Sequence, residues 1–325
     1  APQSARAPAP GHTRGAGPPA AAAAAGEPRA PSEGEAVARG PHELVQDAAR
    51  CAEVVGQLLP QPEVAVDIEG VALCRDGEIC LIQIADGAGR TYLFDICVLG
   101  ASAFEEGRLG ELLRDPNCCK VVCDGRADND ALSHIYGVAM TNIYDLQVLH
   151  ALKFSSSHDK YVKGLEKVLE AAEVHTPERR QQLQAIKKRG KSLFAPELGG
   201  SYEAWKARPL SKDLVDYAAA DVESILLAKR KWSSPTLDPL VRRVTEERIQ
   251  KAIASEELPK GAHMAIRDFS LEGGEAVDRA PPMKICFSFR DTGHCRHGLG
   301  CKHAHTAGLS SYIAQLPNPR AHRCA

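Results

Sequence analysis

The sequence predicts an α/β fold, and three observations carry that reading. Glu63 to Glu69 (EVAVDIE), Ile79 to Ala85 (ICLIQIA) and Thr91 to Ile96 (TYLFDI) are short runs rich in β-branched and aromatic residues, the pattern of strands. They are separated by short turns at Asp76-Gly77 and Gly87 to Gly89, so an antiparallel meander is expected. Helical periodicity then takes over most of the chain, interrupted by one further apolar run, Lys120 to Cys123 (KVVC).

The remaining elements follow in order. Residues 1–41 are Ala, Pro, Gly and Arg with almost no large apolar side chains. Such a segment cannot bury enough surface to offset its ordering entropy and is expected to be disordered. It is acid-poor up to Glu27, so an organelle transit peptide and a plain low-complexity linker are both open. Leu109 to Leu113 reads as a helix, as do 126–136, 142–153, 161–172, 201–206 and 211–231. Ser211 is the N-cap expected for the last of these, with Asp213 in its first turn. Asp238-Pro239 marks the start of a trailing helix to about Glu257. Residues 258–280, with Gly, Pro and charge but no periodicity, read as a linker, 281–308 as a small module and 309–325 as a tail.

Composition narrows the classes of function. The chain of 325 residues is 44% hydrophobic, and it has no apolar run of the ~18 residues that a spanning helix needs. Net charge is −2, but residues 281–325 hold six Lys/Arg against one Asp, a local charge of +5. Of eleven cysteines, seven (Cys51, Cys74, Cys80, Cys97, Cys118, Cys119, Cys123) are scattered through the α/β region, where free cysteine acts as a small hydrophobe. Cys286, Cys295 and Cys301 cluster beside histidines, which points to metal and away from disulfides. An intracellular, reducing compartment is the expectation, nucleus or cytoplasm ahead of an organelle.

Four acids carry the candidate chemistry. Asp67 and Glu69 are two apart on the first strand and project from one face. Asp128 follows the fourth strand at the start of a helix, crowded by Asp124 and Asp130. Asp221 lies four residues after Tyr217, on the same helical face. Two-metal phosphodiester hydrolysis needs such a set: carboxylates hold Mg²⁺ or Mn²⁺, and a tyrosine one turn away can orient the attacking water or accept its proton. Residue pattern alone leaves a metal site and ordinary surface charge both open, although an acidic pair inside an apolar strand costs free energy without compensation.

Val66 to Gly70 with Ile79 to Ala85 resembles the first exonuclease motif of the ribonuclease D and Werner-type family. Lys120 to Leu132 (KVVCDGRADNDAL) is similar to the second, and Trp205 to Leu210 with Leu214 to Asp221 (LVDYAAAD) to the third. Asn142 to Asp145 matches a segment in which that family keeps a supporting aspartate. The match spans about 44–232 and is most similar to the Egalitarian-like branch. The resemblance implies a ribonuclease H-like fold, a mixed sheet flanked by helices. It implies Asp67, Glu69, Asp128 and Asp221 as ligands of two Mg²⁺ or Mn²⁺ ions, with Tyr217 as the catalytic tyrosine. The implied activity is 3′–5′ hydrolysis of single-stranded nucleic acid to nucleoside monophosphates. Some relatives of this kind have lost acids and persist as RNA-binding adaptors, so a silent adaptor is the rival reading and a DNA-processing exonuclease a second.

Cys286, Cys295, Cys301 and His305 fall in the spacing C-x8-C-x5-C-x3-H. Three thiolates and one imidazole satisfy tetrahedral Zn²⁺ with no open position, hence a structural ion, with His303 as a competing ligand. The spacing resembles the CCCH finger family, whose members bind single-stranded RNA, so RNA is favoured as substrate and partner. Phe287 and Phe289 are candidates to stack on bases, and Lys284, Arg290, Arg296 and Lys302 to meet phosphates; position 304, where such fingers carry an aromatic, is Ala. The basic run His175 to Lys191 reads equally as a solvated helix or a substrate-guiding arm.

Overall fold

The computed structural model describes residues 42–272. The Ala/Pro-rich segment, the cysteine–histidine cluster and the tail lie outside the described residues. Six strands, β1 (His42–Val45), β2 (Glu63–Val71), β3 (Glu78–Ala85), β4 (Thr91–Asp95), β5 (Cys119–Val122) and β6 (Ile143–Asp145), form one sheet in the order β1-β4-β3-β2-β5-β6. The β2-β3-β4 meander is antiparallel as expected, while β1, β5 and β6 run parallel to their neighbours, giving the mixed sheet. The helices are α1 (Ala48–Leu58), α2 (Ile96–Leu99), α3 (Leu109–Arg114), α4 (Arg126–Tyr136), α5 (Leu146–Phe154), α6 (Leu165–Ala172), α7 (Pro177–Phe194), α8 (Lys212–Glu223), α9 (Ile225–Trp232) and α10 (Leu237–Ala254).

The pleat of β2 sorts its side chains between two layers. Val64, Val66 and Ile68 join a core with Val54, Leu58, Leu112 and Leu132 from α1, α3 and α4. Ala65 faces the other layer, with Leu149, Val222, Ile225 and Trp232. Asp67 and Glu69 share the parity of Ala65, so they project toward the side covered by α8. Beside them Leu81, Leu93, Leu214, Ala218, Phe194 and Trp205 form a third apolar cluster. A bulge follows Glu69 directly. A Cβ at Gly70 would lie 2.0 Å from the Glu78 carbonyl oxygen, so only glycine lets the two strands close at this point.

Several elements differ from the sequence reading. The expected helix 142–153 begins only at Leu146, because residues 143–145 are drawn into the sheet as β6 and Asp145 caps the helix through the Gln147 amide. The helix expected over 211–231 breaks at Ser224 into α8 and α9, and the Ser211 cap is as expected, accepting from the Leu214 amide. The trailing helix begins at Leu237 behind Thr236, not behind Asp238; Asp238 instead accepts from the Tyr144 hydroxyl at 2.7 Å. The segment from residue 258, aperiodic in sequence, lies along the domain as far as 271: the Met264 carbonyl accepts from Arg126, Asp268 pairs with Arg248 at 2.9 Å, and Phe269 and Leu271 pack on the second core. Its tertiary contacts are to groups distant in sequence, including backbone bonds with residues 160–162, which no local periodicity reveals.

Replacing Gly70 with alanine is expected to destabilise the domain by roughly 1–3 kcal/mol, the cost of overpacking a closed site. A urea melt reads this directly, and an unchanged midpoint would show that the bulge has room to relax.

Candidate active site

Three pieces of local structure deliver the four candidate acids. Asp67 and Glu69 come from the centre of the sheet on β2. Asp221 comes from α8, one turn after Tyr217. Ligand oxygens of Asp67, Glu69 and Asp221 lie within 4.8 Å of one another. Asp128 stands in the first turn of α4, where the helix dipole favours a carboxylate. It is 7% exposed and lies outside that trio, but within electrostatic reach of Asp67 and Glu69.

Long-range pairing separates Asp128 from its crowded neighbours. Asp130 is fully buried and bound by Arg75, whose amide and guanidinium both donate to it. Asp124 has a left-handed backbone (φ 63); its amide donates to Asp145 at 2.9 Å and its carboxylate receives Arg126 at 2.6 and 2.7 Å. Asp145 is held in turn by Arg248 at 3.0 Å, which places the expected supporting aspartate at the hinge between β6, α5 and α10. Asp128 alone of these acids has no hydrogen bond or ion pair among the described residues.

Burial and mutual repulsion dominate the electrostatics. Asp67 is pushed up to about 7, chiefly by burial and then by Asp221, with Lys187 opposing. Burial followed by Asp67 and Asp221 raises Glu69 well above the carboxylate range; burial followed by Asp67 and Asp124 does the same to Asp128. Asp221 is raised by burial against the pull of Lys187. The Tyr217 hydroxyl is raised by burial and by Asp221, Glu69 and Asp67. It therefore carries its proton at neutral pH and suits orienting a water better than accepting a proton.

The donor set fits divalent ions. Hard carboxylate oxygens converge in a cleft of about 410 Å³, and Asp221 Oδ2 is buried with no hydrogen-bond partner among the described residues. A carboxyl oxygen left this way is satisfied by a proton or by a cation, and the hard oxygen donors suit a divalent ion. Gln83, directly across the ladder from Asp67 and fully buried, also has both amide atoms unpartnered among the described residues; the sequence offered no signal for it beyond one polar residue in an apolar strand. Lys187 of α7 is the second addition. Its ammonium bonds Asp221 Oδ1 and sits 3.6 Å from the centroid of the Tyr217 ring. The expected zinc ligands Cys286, Cys295, Cys301 and His305 lie outside the described residues. The seven described cysteines are all free.

The central mixed sheet thus carries acids from one of its inner strands and from two flanking helices. Residues 42–230 match the model of the 3′-5′ exonuclease family, and the chain belongs to that family. It is 34% identical over 167 residues to human "piRNA biogenesis protein EXD1", an alignment covering 51% of this chain and 31% of the relative. It is 32% identical over 103 residues to the Caenorhabditis elegans "Egalitarian protein homolog", covering 31% and 17%. The alignment with human EXD1 thus spans about a third of that relative's length. Among solved structures, ribonuclease D from Trypanosoma brucei superposes with a TM-score of 0.56 at 26% identity, covering 70% of this chain and 77% of that one. The same enzyme in complex with RNA U12 gives 0.57 at 24%, covering 70% and 75%.

The raised carboxylates favour protonated acids in the folded state, so the stability they contribute is present below about pH 4 and is lost as pH rises through about 7 for Asp67. Without divalent ions at pH 8, Asp67→Asn is expected to raise the melting temperature by roughly 2–4 °C, the shift for about 1 kcal/mol in a domain of this size. The gain should shrink at pH 5. A lower melting temperature for the variant at pH 8 would contradict the electrostatic reading.

Proposed function

We propose that this chain is an active, metal-dependent 3′–5′ exonuclease that degrades single-stranded RNA to nucleoside monophosphates. One observation carries the proposal: the convergence of Asp67, Glu69 and Asp221 in an open cleft, with Asp128 buried nearby and paired to no cation among the described residues. A protein that kept only the scaffold has no reason to retain such a cluster, because crowding desolvated carboxylates around a single ammonium is destabilising.

Asp67, Glu69, Asp128 and Asp221 are the residues that would hold two Mg²⁺ or Mn²⁺ ions. When bound, such ions activate a water and stabilise the leaving oxygen. The chain's own contribution is positional. Tyr217, protonated and fixed against Phe194 and Trp205 at ring distances of 5.1 and 6.1 Å, offers its hydroxyl to orient the water. Lys188 and Lys191 line the same cleft and supply positive charge for the phosphodiester backbone, which favours the substrate-guiding reading of the basic segment. RNA is favoured because the superposing trypanosomal enzyme was solved with RNA and the relatives' name places them in piRNA biogenesis. A CCCH zinc finger formed by Cys286, Cys295, Cys301 and His305 would supply a second RNA contact.

The test is digestion of labelled RNA and DNA strands, with free or blocked 3′ ends, in Mg²⁺ or Mn²⁺. Stepwise loss of mononucleotides from free RNA ends is expected, with Asp67→Asn abolishing it and Tyr217→Phe lowering the rate by about 10²–10⁴-fold while ion binding persists. RNA binding without any product from the wild type would favour the silent adaptor.

Cys295→Ser should leave cleavage of short strands unchanged, since finger folding and zinc binding are one equilibrium separate from the acids. It should weaken binding to long RNA. Equal affinity of variant and wild type would make the finger a protein-contact module.

A further inference from the structure

Lys187 is placed, not stray. α7 is clamped to α8 by the Arg179–Glu223 pair, with contacts of 2.6 and 3.0 Å, and by Arg189–Asp213 at 3.1 Å. Directly after the second clamp, Gly190 admits the Tyr217 side chain, since a Cβ there would lie 2.5 Å from Tyr217 Cβ. This close approach puts the face of α7 that carries Gln184, Lys187, Lys188 and Lys191 along the acidic cleft, as the helical spacing of these positions requires. Of the three lysines only Lys187 meets a site carboxylate: it bonds Asp221 and lies on the Tyr217 ring, with its side chain 20% exposed. A cation there lowers the cost of the buried acids, and it holds one of the oxygens that a divalent ion would take.

We propose, resting on the two-metal reading above, that Lys187 is a tethered counter-ion of the carboxylate site, which divalent ions must displace in order to bind. The ammonium has a second carboxylate within the same surroundings. Glu166 lines both the acidic cleft and the adjoining cavity between α6, α7 and α8, and Lys187 lines both as well. Displacement is a swing of one flexible side chain from Asp221 toward Glu166, with α7 left in place. The lysine therefore sets how much free Mg²⁺ or Mn²⁺ the site needs before it fills, and it keeps the acids compensated until then.

Mn²⁺ titration of the purified, substrate-free protein by calorimetry tests this without reading nuclease activity. Lys187→Met keeps the length of the side chain and removes its charge; it should bind Mn²⁺ about 10-fold more tightly, equivalent to about 1.4 kcal/mol. Lys188→Met and Lys191→Met remove the same charge from the same face without freeing Asp221, and should change affinity less than about 2-fold. In the wild type, amine acetylation followed by mass spectrometry should show Lys187 becoming more reactive when Mn²⁺ is added while Lys188 stays constant, a measurement that needs no variant to fold. Equal effects of all three substitutions, or Lys187 reactivity unaltered by Mn²⁺, would overturn the displacement and leave the two-metal reading standing. Failure of both the wild type and Lys187→Met to bind Mn²⁺ would overturn both.

Discussion

Asp67, Glu69 and Asp221 hold their carboxylates within 4.8 Å of one another, and Asp128 adds a fourth carboxyl group close by, so ionising any one of them is opposed by the others. In a partly desolvated cleft this repulsion works against folding, and the rest of the domain is arranged around sustaining it. The sheet supplies rigidity, because Asp67 and Glu69 stand on an internal strand, paired on both sides. The α7–α8 clamp supplies the one ammonium that contacts the trio among the described residues. A function that needs cations explains why such a costly arrangement is kept; a structural role does not.

The rest of the acidic inventory shows the same logic in reverse. Asp86 is paired with Arg90, Asp95 with Arg208, Asp130 with Arg75, Asp145 with Arg248 and Asp216 with Lys212. Each of these buried acids has a basic partner, solvent-exposed in the case of Lys212, so its charge is compensated by the protein itself. Among the described residues, of the four candidate acids only Asp221 has an ion pair, to Lys187, and that pair leaves its Oδ2 without a partner. Arg126 and Arg248 extend the pairing to residues 264–268, which receive both guanidinium groups, so the second motif and the end of the domain are tied into one network.

Much of this was legible in the sequence. The two-residue spacing of Asp67 and Glu69 inside an apolar strand, and the one-turn spacing of Tyr217 and Asp221, give the faces that the structure shows. The choice among Asp124, Asp128 and Asp130 rested on resemblance, because their partners Arg75, Arg126 and Arg248 become neighbours only through folding. The first strand and helix had no sequence assignment. For α1 a signal existed: Asp47 caps it, and Cys51, Val54, Val55 and Leu58 recur at helical spacing on its buried face. For β1, four residues with two charges or histidine (HELV) gave none. Lys187 was visible only as one member of a basic run, since its selection depends on Gly190 allowing α7 to close on α8.

The central claim is that the four acids form one ion-binding site. Crystals grown with Mn²⁺ and measured at the manganese absorption edge test it most directly. Two anomalous peaks bounded by Asp67, Glu69, Asp128 and Asp221, with the Lys187 ammonium withdrawn from Asp221, are the predicted result. No peak in the cleft at saturating Mn²⁺, with Lys187 still bonded to Asp221, would contradict it.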